Sequence, residues 1–149
     1  GRDALYGFDG NDIINGDAGD DYVEGGEAND TINGGADNDF LQGQDGGDIL
    51  NGGAGFDYLY GGAGADTFFF RRGDSADWIL DFRKSEGDKL RLEGFGFAAF
   101  AAVPLVDLST PGHPAVQMTL LNTATGLYDQ LTIFGATLAQ LNAANVLVA

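Results

Sequence analysis

The stretch GGADNDFLQ, residues 34–42, sets Gly34, Gly35, Asp37 and Asp39 directly before Phe40 and Leu41. Glycine and aspartate favour a turn with an open backbone, whereas Phe and Leu favour burial. The two demands agree if a tight turn feeds a very short strand whose middle residue points inward, because side chains alternate along a strand. Leu41 is then the inward plug, with Phe40 and Gln42 facing outward.

The same unit recurs on both sides. Written from Gly7, the chain reads GFDGNDIIN, GDAGDDYVE, GGEANDTIN, GGADNDFLQ, GQDGGDILN, GGAGFDYLY and GGAGADTFF, and GRDALY supplies the end of a preceding unit. The first position is glycine throughout. The sixth is aspartate in every unit (Asp3, Asp12, Asp21, Asp30, Asp39, Asp48, Asp57 and Asp66), and the eighth is Leu, Ile, Val or Phe. Two units close one coil, so units two apart stack at the strand spacing of about 4.8 Å. That lines up Asp12, Asp30, Asp48 and Asp66 on one edge, and Asp3, Asp21, Asp39 and Asp57 on the other.

Carboxylates stacked this closely repel unless a cation lies between them. Calcium suits the gap: it is a hard ion that takes six to eight oxygens, and glycine turns expose carbonyls to complete its shell. The candidate ligands are the eight aspartates together with the turn backbone at Gly7, Gly10, Gly16, Gly19, Gly25, Gly34, Gly43, Gly46, Gly52, Gly55, Gly61 and Gly64. Three gaps per edge predict about six ions, which would bring the formal charge of −16 to near −4.

Composition supports this reading. Of 25 glycines in 149 residues, 18 lie in residues 1–69, which also hold thirteen Asp and two Glu against Arg2 alone. Such a surface repels nucleic acid and anionic membranes. There is no cysteine, which excludes disulfides and thiolate metal sites. No apolar run is long enough for a membrane-spanning helix. GRDALYGFDG lacks the order of a signal peptide, so an export address is expected elsewhere. Collagen, flexible-linker and EF-hand patterns all fail on spacing.

The nonapeptide resembles the G-G-x-G-x-D-x-U-x repeat of the repeats-in-toxin (RTX) calcium-binding family. The resemblance implies an all-β fold, a right-handed parallel β-roll over residues 1–69, with residues 70–149 as a C-terminal flank capping it in one module. The flank sequence GADTFFF, DWILDF and GDKLRLEGFGF is similar to the run that follows the repeats in RTX proteins. The ending LNAANVLVA resembles the R-modules of bacterial mannuronan epimerases. Family membership implies a secreted, extracellular, non-catalytic module, exported unfolded by type I secretion machinery and folding on external calcium. Two roles remain open. One is an R-module-like domain that helps an attached epimerase hold alginate; the other is a folding and secretion domain of a protease, lipase or adhesin that binds no glycan.

Departures from the repeat carry further expectations. Ala28 and Asp37 stand at the fourth position, where glycine is the rule, so their turns should be irregular if φ is positive there. Asp9, Glu27 and Asp45 at the third position could be outer ligands or solvated charge. Tyr6, Tyr22, Phe40, Tyr58 and Tyr60 face outward on one sheet, as a sugar platform or a packing face; Ile13, Thr31, Ile49 and Thr67 lie beside Asn15, Asn33 and Asn51 on the other.

In the flank, residues 67–70, 78–82, 89–93, 115–122 and 128–135 read as strands, and TLAQLNAAN (137–145) as a short helix capped by Thr137. Asp74, Asp77 and Asp81 could close a terminal metal site, Asp77 foremost. Arg71, Arg72, Arg83, Lys84, Lys89 and Arg91 crowd one window and could hold an acidic polysaccharide, or pair with neighbouring acids. Arg72-Gly73-Asp74 spells an adhesion tripeptide, but so short a motif arises by chance and Gly73 fits a turn after a strand, which is the reading taken. His113 has no evident partner, and no nucleophile elbow, phosphate loop or zinc constellation is present.

Overall fold

The computed structural model describes residues 1–95, 105–107, 114–121, 128–137 and 139–148. His113 lies outside them. The chain forms a parallel β-roll whose odd and even units build two facing sheets. One contains β1 (Ala4–Asp9), β3 (Tyr22–Glu27), β5 (Phe40–Asp45), β7 (Tyr58–Ala63) and β9 (Ala76–Ile79), followed by β13 (Tyr128–Phe134), β12 (Ala115–Leu121) and β11 (Leu105–Asp107). The other orders β14 (Val146–Val148), β10 (Lys89–Glu93), β8 (Thr67–Arg71), β6 (Ile49–Ala54), β4 (Thr31–Ala36) and β2 (Ile13–Ala18). Pairing is parallel except where β13 meets β12 and β12 meets β11.

Strands β1 to β7 run for six residues each rather than the three expected, because the ladder continues through the glycines: Tyr22 pairs with Phe40, and Gly26 still pairs with Gln44. Glycine has no side chain to splay the backbones, so pairing survives the turn. The register is 18 residues per coil, and it places every eighth-position residue inside. Val23, Ile32, Leu41, Leu50, Leu59 and Phe68 are fully buried, while Leu5 and Ile14 in the first coil are only partly covered.

The flank extends both sheets instead of forming a separate layer. Leu59 is followed inward by Ile79, Ile133 and Val116, and Phe68 by Leu90 and Val146. Phe70, Phe82, Leu92, Met118, Leu120 and Leu131 complete the core there. Apolar side chains left open at the last coil are thereby covered, which a solenoid end requires.

Two flank expectations are corrected. The strand expected over 78–82 is Ala76–Ile79, since Asp81 leaves the ladder to accept the Gly61 and Gly62 N–H groups. The helix expected over 137–145 is replaced by turns in the described residues. Asn145 Oδ1 accepts the Asn142 N–H, Asn142 Oδ1 accepts the Ala144 N–H, and Asn145 Nδ2 donates to the Gln140 carbonyl. These local bonds compete with helical ones, the usual effect of Asn inside a helix.

Candidate metal centre

Each sixth-position aspartate from Asp21 to Asp66 takes a divided role. Its Oδ1 accepts the backbone N–H of the aspartate one coil earlier: Asp12 donates to Asp30 at 2.9 Å, Asp21 to Asp39 at 2.8 Å, Asp30 to Asp48 at 2.8 Å and Asp39 to Asp57 at 2.8 Å. The ladder fixes the carboxylates in two vertical rows. Their Oδ2 atoms face inward without a partner: those of Asp12, Asp21, Asp30, Asp39, Asp48, Asp57 and Asp66 are buried and accept no hydrogen bond. A buried ionised oxygen left unpaired is costly, so the chemistry of the site demands a positive charge.

The first-position glycines make room for it. A Cβ on Gly16 would lie 2.6 Å from Asp21 Oδ2 and 2.5 Å from the Gly34 carbonyl oxygen. The same pair, an aspartate Oδ2 and a glycine carbonyl of the next coil, flanks Gly7, Gly25, Gly34 and Gly43. Glycine is needed here for space rather than for its φ. The second and fourth positions are the ones with positive φ, from Phe8 at 73° and Gly10 at 108° onward. Among the described residues no three carboxylate or imidazole side chains converge on one point. An ion here would therefore take few ligands from side chains and the rest from peptide oxygens, a donor set that suits calcium and not zinc.

Burial raises the carboxylates' affinity for protons. Asp39 and Asp48 are pushed up to about 6 and Asp66 to about 7, each mainly by desolvation, with neighbouring aspartates adding to it and the ladder hydrogen bond opposing it. The rows thus resist bearing their full negative charge alone.

The ladder runs on into the flank by irregular steps. Asp57 donates to Asp77 Oδ1 at 3.1 Å across 20 residues, and Asp77 Oδ2 is buried without a partner like those before it. Asp66 donates to Asp88 Oδ1 at 3.1 Å across 22 residues, but Asp88 Oδ2 accepts the Arg83 N–H, which ends that row. Asp88 was missed in the sequence because its spacing breaks the period. Asp81 and Asp74 do not join: Asp81 is used by Gly61, Gly62 and an Arg83 guanidinium at 3.4 Å, and Asp74 Oδ2 accepts the Arg71 N–H.

A second ladder was also missed. Asn11, Asp20, Asn29 and Asn38, at the fifth position, accept the N–H of the residue one coil later. The recurrence of Asn or Asp in four successive units was the available signal. Asp9, Glu27 and Asp45 stack in register but are exposed, as solvated charge would be. At Ala28 and Asp37 the φ angles are 79° and 76°, and among the described residues neither makes the bond that Gly10, Gly19, Gly46 and Gly55 donate to a neighbouring coil.

The basic window is divided in space. Arg71 and Arg91 lie over Phe69 at 5.4 and 5.2 Å and share Glu93 at 3.0 and 2.7 Å. Arg83 is folded back onto the Gly62 carbonyl, Asp81, Glu86 and Tyr60. Lys84 and Lys89 are exposed; Arg72 is half-buried. The adhesion reading of Arg72-Gly73-Asp74 fails because Asp74 is buried.

Two facing parallel sheets joined by glycine turns, with paired rows of aspartates at the turns, define a calcium-binding β-roll. Residues 1–41 and 42–75 match the RTX calcium-binding nonapeptide repeat, and the chain belongs to that family. It is similar to the solution structures of two subunits of the Azotobacter vinelandii mannuronan C5-epimerase. AlgE6R3 is 31% identical, with TM-score 0.65 over 92% of this chain and 78% of that one. AlgE6R2 is 33% identical, with TM-score 0.67 over 92% of this chain and 91% of that one. No curated protein matches.

Proposed function

We propose that this module is a non-catalytic, calcium-loaded folding unit of a secreted protein that also helps hold an acidic polysaccharide such as alginate for an attached epimerase. The observation that carries the calcium part is the set of buried, unpartnered Oδ2 atoms beside glycine carbonyls. Asp12, Asp21, Asp30, Asp39, Asp48, Asp57 and Asp66 would supply the side-chain oxygens, with Asp3 at the open end and Asp77 continuing its row. The turn carbonyls would supply the rest, for about six ions, and a further one at Asp77.

The ion would neutralise charge that the folded chain cannot otherwise bury, so most of its binding energy becomes folding energy. A chain that stays unfolded where calcium is scarce and folds where it is abundant suits passage through type I secretion machinery and assembly outside the cell. Residues 70–149 would serve as the cap. The glycan part rests on the likeness to epimerase subunits and on the exposed cations at Arg71, Lys84, Lys89 and Arg91; Arg72 and Arg83 are less available. Far-UV circular dichroism with excess EGTA tests the calcium part: the β signal should collapse and return with calcium, and an unchanged spectrum would overturn it.

A further inference from the structure

We propose that Asn15-Gly16, Asn33-Gly34 and Asn51-Gly52 are sites of spontaneous deamidation whose rate is set by calcium-dependent folding, an inference that rests on the calcium reading above. These are the only Asn-Gly pairs in the sequence, and each joins the ninth position of one unit to the first of the next. In such a pair the glycine nitrogen reaches the asparagine Cγ with no side chain in its way. A bond forms between them, the glycine nitrogen gives up its proton to solvent, and the Cγ–Nδ2 bond breaks to release ammonia. Water then opens the succinimide. Attack at Cγ leaves aspartate, whereas attack at the main-chain carbonyl leaves isoaspartate, whose backbone runs through Cβ and Cγ and is longer by an atom.

The fold opposes ring closure unequally. Closure needs rotation about the asparagine backbone, which a strand bonded to its neighbours denies until it opens. Asn33 and Asn51 sit on β4 and β6, which are paired on both sides, and Asn51 Nδ2 donates to Asn33 Oδ1 at 2.6 Å. Asn15 lies on β2, at the edge of its sheet, with an exposed side chain. Asn15 is therefore the first to react in the folded chain, whereas the unfolded chain exposes all three alike.

The damage falls on one row of aspartates. Gly16, Gly34 and Gly52 are buried, and they lie against Oδ2 of Asp21, Asp39 and Asp57 respectively. An extra backbone atom just before these glycines displaces them from the carboxylates they clear. The other row is spared, because Gly7, Gly25, Gly43 and Gly61 follow Tyr6, Glu24, Gln42 and Tyr60. Scarcity of calcium is thus recorded in the covalent chain: a module kept unfolded loses the sites proposed at Asp21, Asp39 and Asp57 and does not refold fully when the ion returns.

Ageing the purified module at mildly alkaline pH, in excess calcium and in EGTA, tests the inference. Peptide mass spectrometry follows the amide-to-acid conversion at each asparagine, and circular dichroism follows the β signal. In EGTA the three pairs should convert together, ahead of Asn142 and Asn145, which precede Ala143 and Val146. Calcium should slow Asn33 and Asn51 by about tenfold or more, and Asn15 much less. On return to calcium the aged chain should bind fewer ions and show a smaller β signal. The Asn15→Gln, Asn33→Gln, Asn51→Gln variant, whose larger imide ring closes slowly, should regain the signal it had before ageing. Equal rates with and without calcium, in a chain whose β signal responds to calcium, would overturn the inference and keep the calcium reading. So would deamidated chains that regain every ion, protection of Asn15 as full as that of Asn51, or an aged triple variant that loses signal as the parent does. A β signal indifferent to calcium would remove both.

Discussion

Replacing Gly16 with alanine separates a glycine kept for space from one kept for conformation. At Gly16 the new Cβ would stand 2.6 Å from Asp21 Oδ2 and 2.5 Å from the Gly34 carbonyl oxygen, inside any tolerable contact. Neither neighbour can yield easily: Asp21 is buried and pinned through Oδ1 by the Asp3 N–H at 2.7 Å, and the carbonyl is backbone. Overpacking of this kind costs about 1–3 kcal/mol. Losing one ion that was present at a hundredfold excess over its Kd removes about 2.7 kcal/mol more. The sum, about 4–6 kcal/mol, corresponds to a fall in Tm of about 10 °C or more at about 2–4 °C per kcal/mol for a chain of this size.

Gly10 is the control. It has φ of 108° and nothing within 4 Å of an added Cβ, so alanine there costs only backbone strain. That is about 1 kcal/mol, or about 3 °C. Thermal unfolding by circular dichroism at fixed free calcium gives the two shifts, and calcium titration gives the stoichiometry. The Gly16 variant should bind one ion fewer and the Gly10 variant the full number. Equal shifts, or an unchanged ion count at Gly16→Ala, would refute the assignment of a cation to the space beside Asp21 Oδ2.

Ala28→Gly should relieve a strained φ and restore the missing inter-coil bond, raising Tm by about 3–6 °C, with Asp37→Gly smaller because aspartate tolerates the left-handed region better; a lower Tm for both would show that these side chains stabilise their turns. Without calcium, stability should fall as pH rises. Asp39, Asp48 and Asp66 hold protons up to about 6–7 when folded, whereas an unfolded Asp releases them near pH 4, so the contribution is full below about 4 and lost through 6–7. In EGTA the β signal should therefore strengthen on acidification from pH 7.5 to 4, and a signal that weakens instead would contradict the burial argument. Asp88→Ala strands the Asp66 and Arg83 N–H groups, at about 1–3 kcal/mol each, so Tm should drop by several degrees while Asp9→Ala at an exposed site changes it little.

The roll was legible in the sequence because one period specifies three things at once. Asp39 marks an edge, Leu41 marks the inside and Gly34 marks the turn, and a shift of one residue would violate all three. Legibility falls where that agreement ends. Asp77 and Asp88 occupy the next ladder rungs, but their steps of 20 and 22 residues carry no repeat to count from. Gly34 was legible as a turn residue, yet its reason, clearance for Asp39 Oδ2, depends on a contact across the fold. The turns among the described residues of 137–145 were hidden because the Leu and Ala there favour a helix locally, while Asn142 and Asn145 bond the backbone in a way that composition alone does not weigh.

The division of labour within each aspartate explains why the sixth position is never asparagine or glutamate. Oδ1 is committed to the backbone of the preceding coil at close to 2.8 Å, which fixes the height and rotation of the carboxyl group. Its other oxygen is then aimed by geometry alone, toward a space bounded by glycine. Asparagine could keep the ladder bond but would place an NH2 group where a cation belongs. Glutamate could supply the charge but would need another rotatable bond, and the ladder would no longer aim it. On the proposed calcium reading, the same bonds that stack the coils preorganise the charge that would keep them from stacking without an ion. Stability and calcium dependence would then arise from one side chain, so that neither could be altered there without the other.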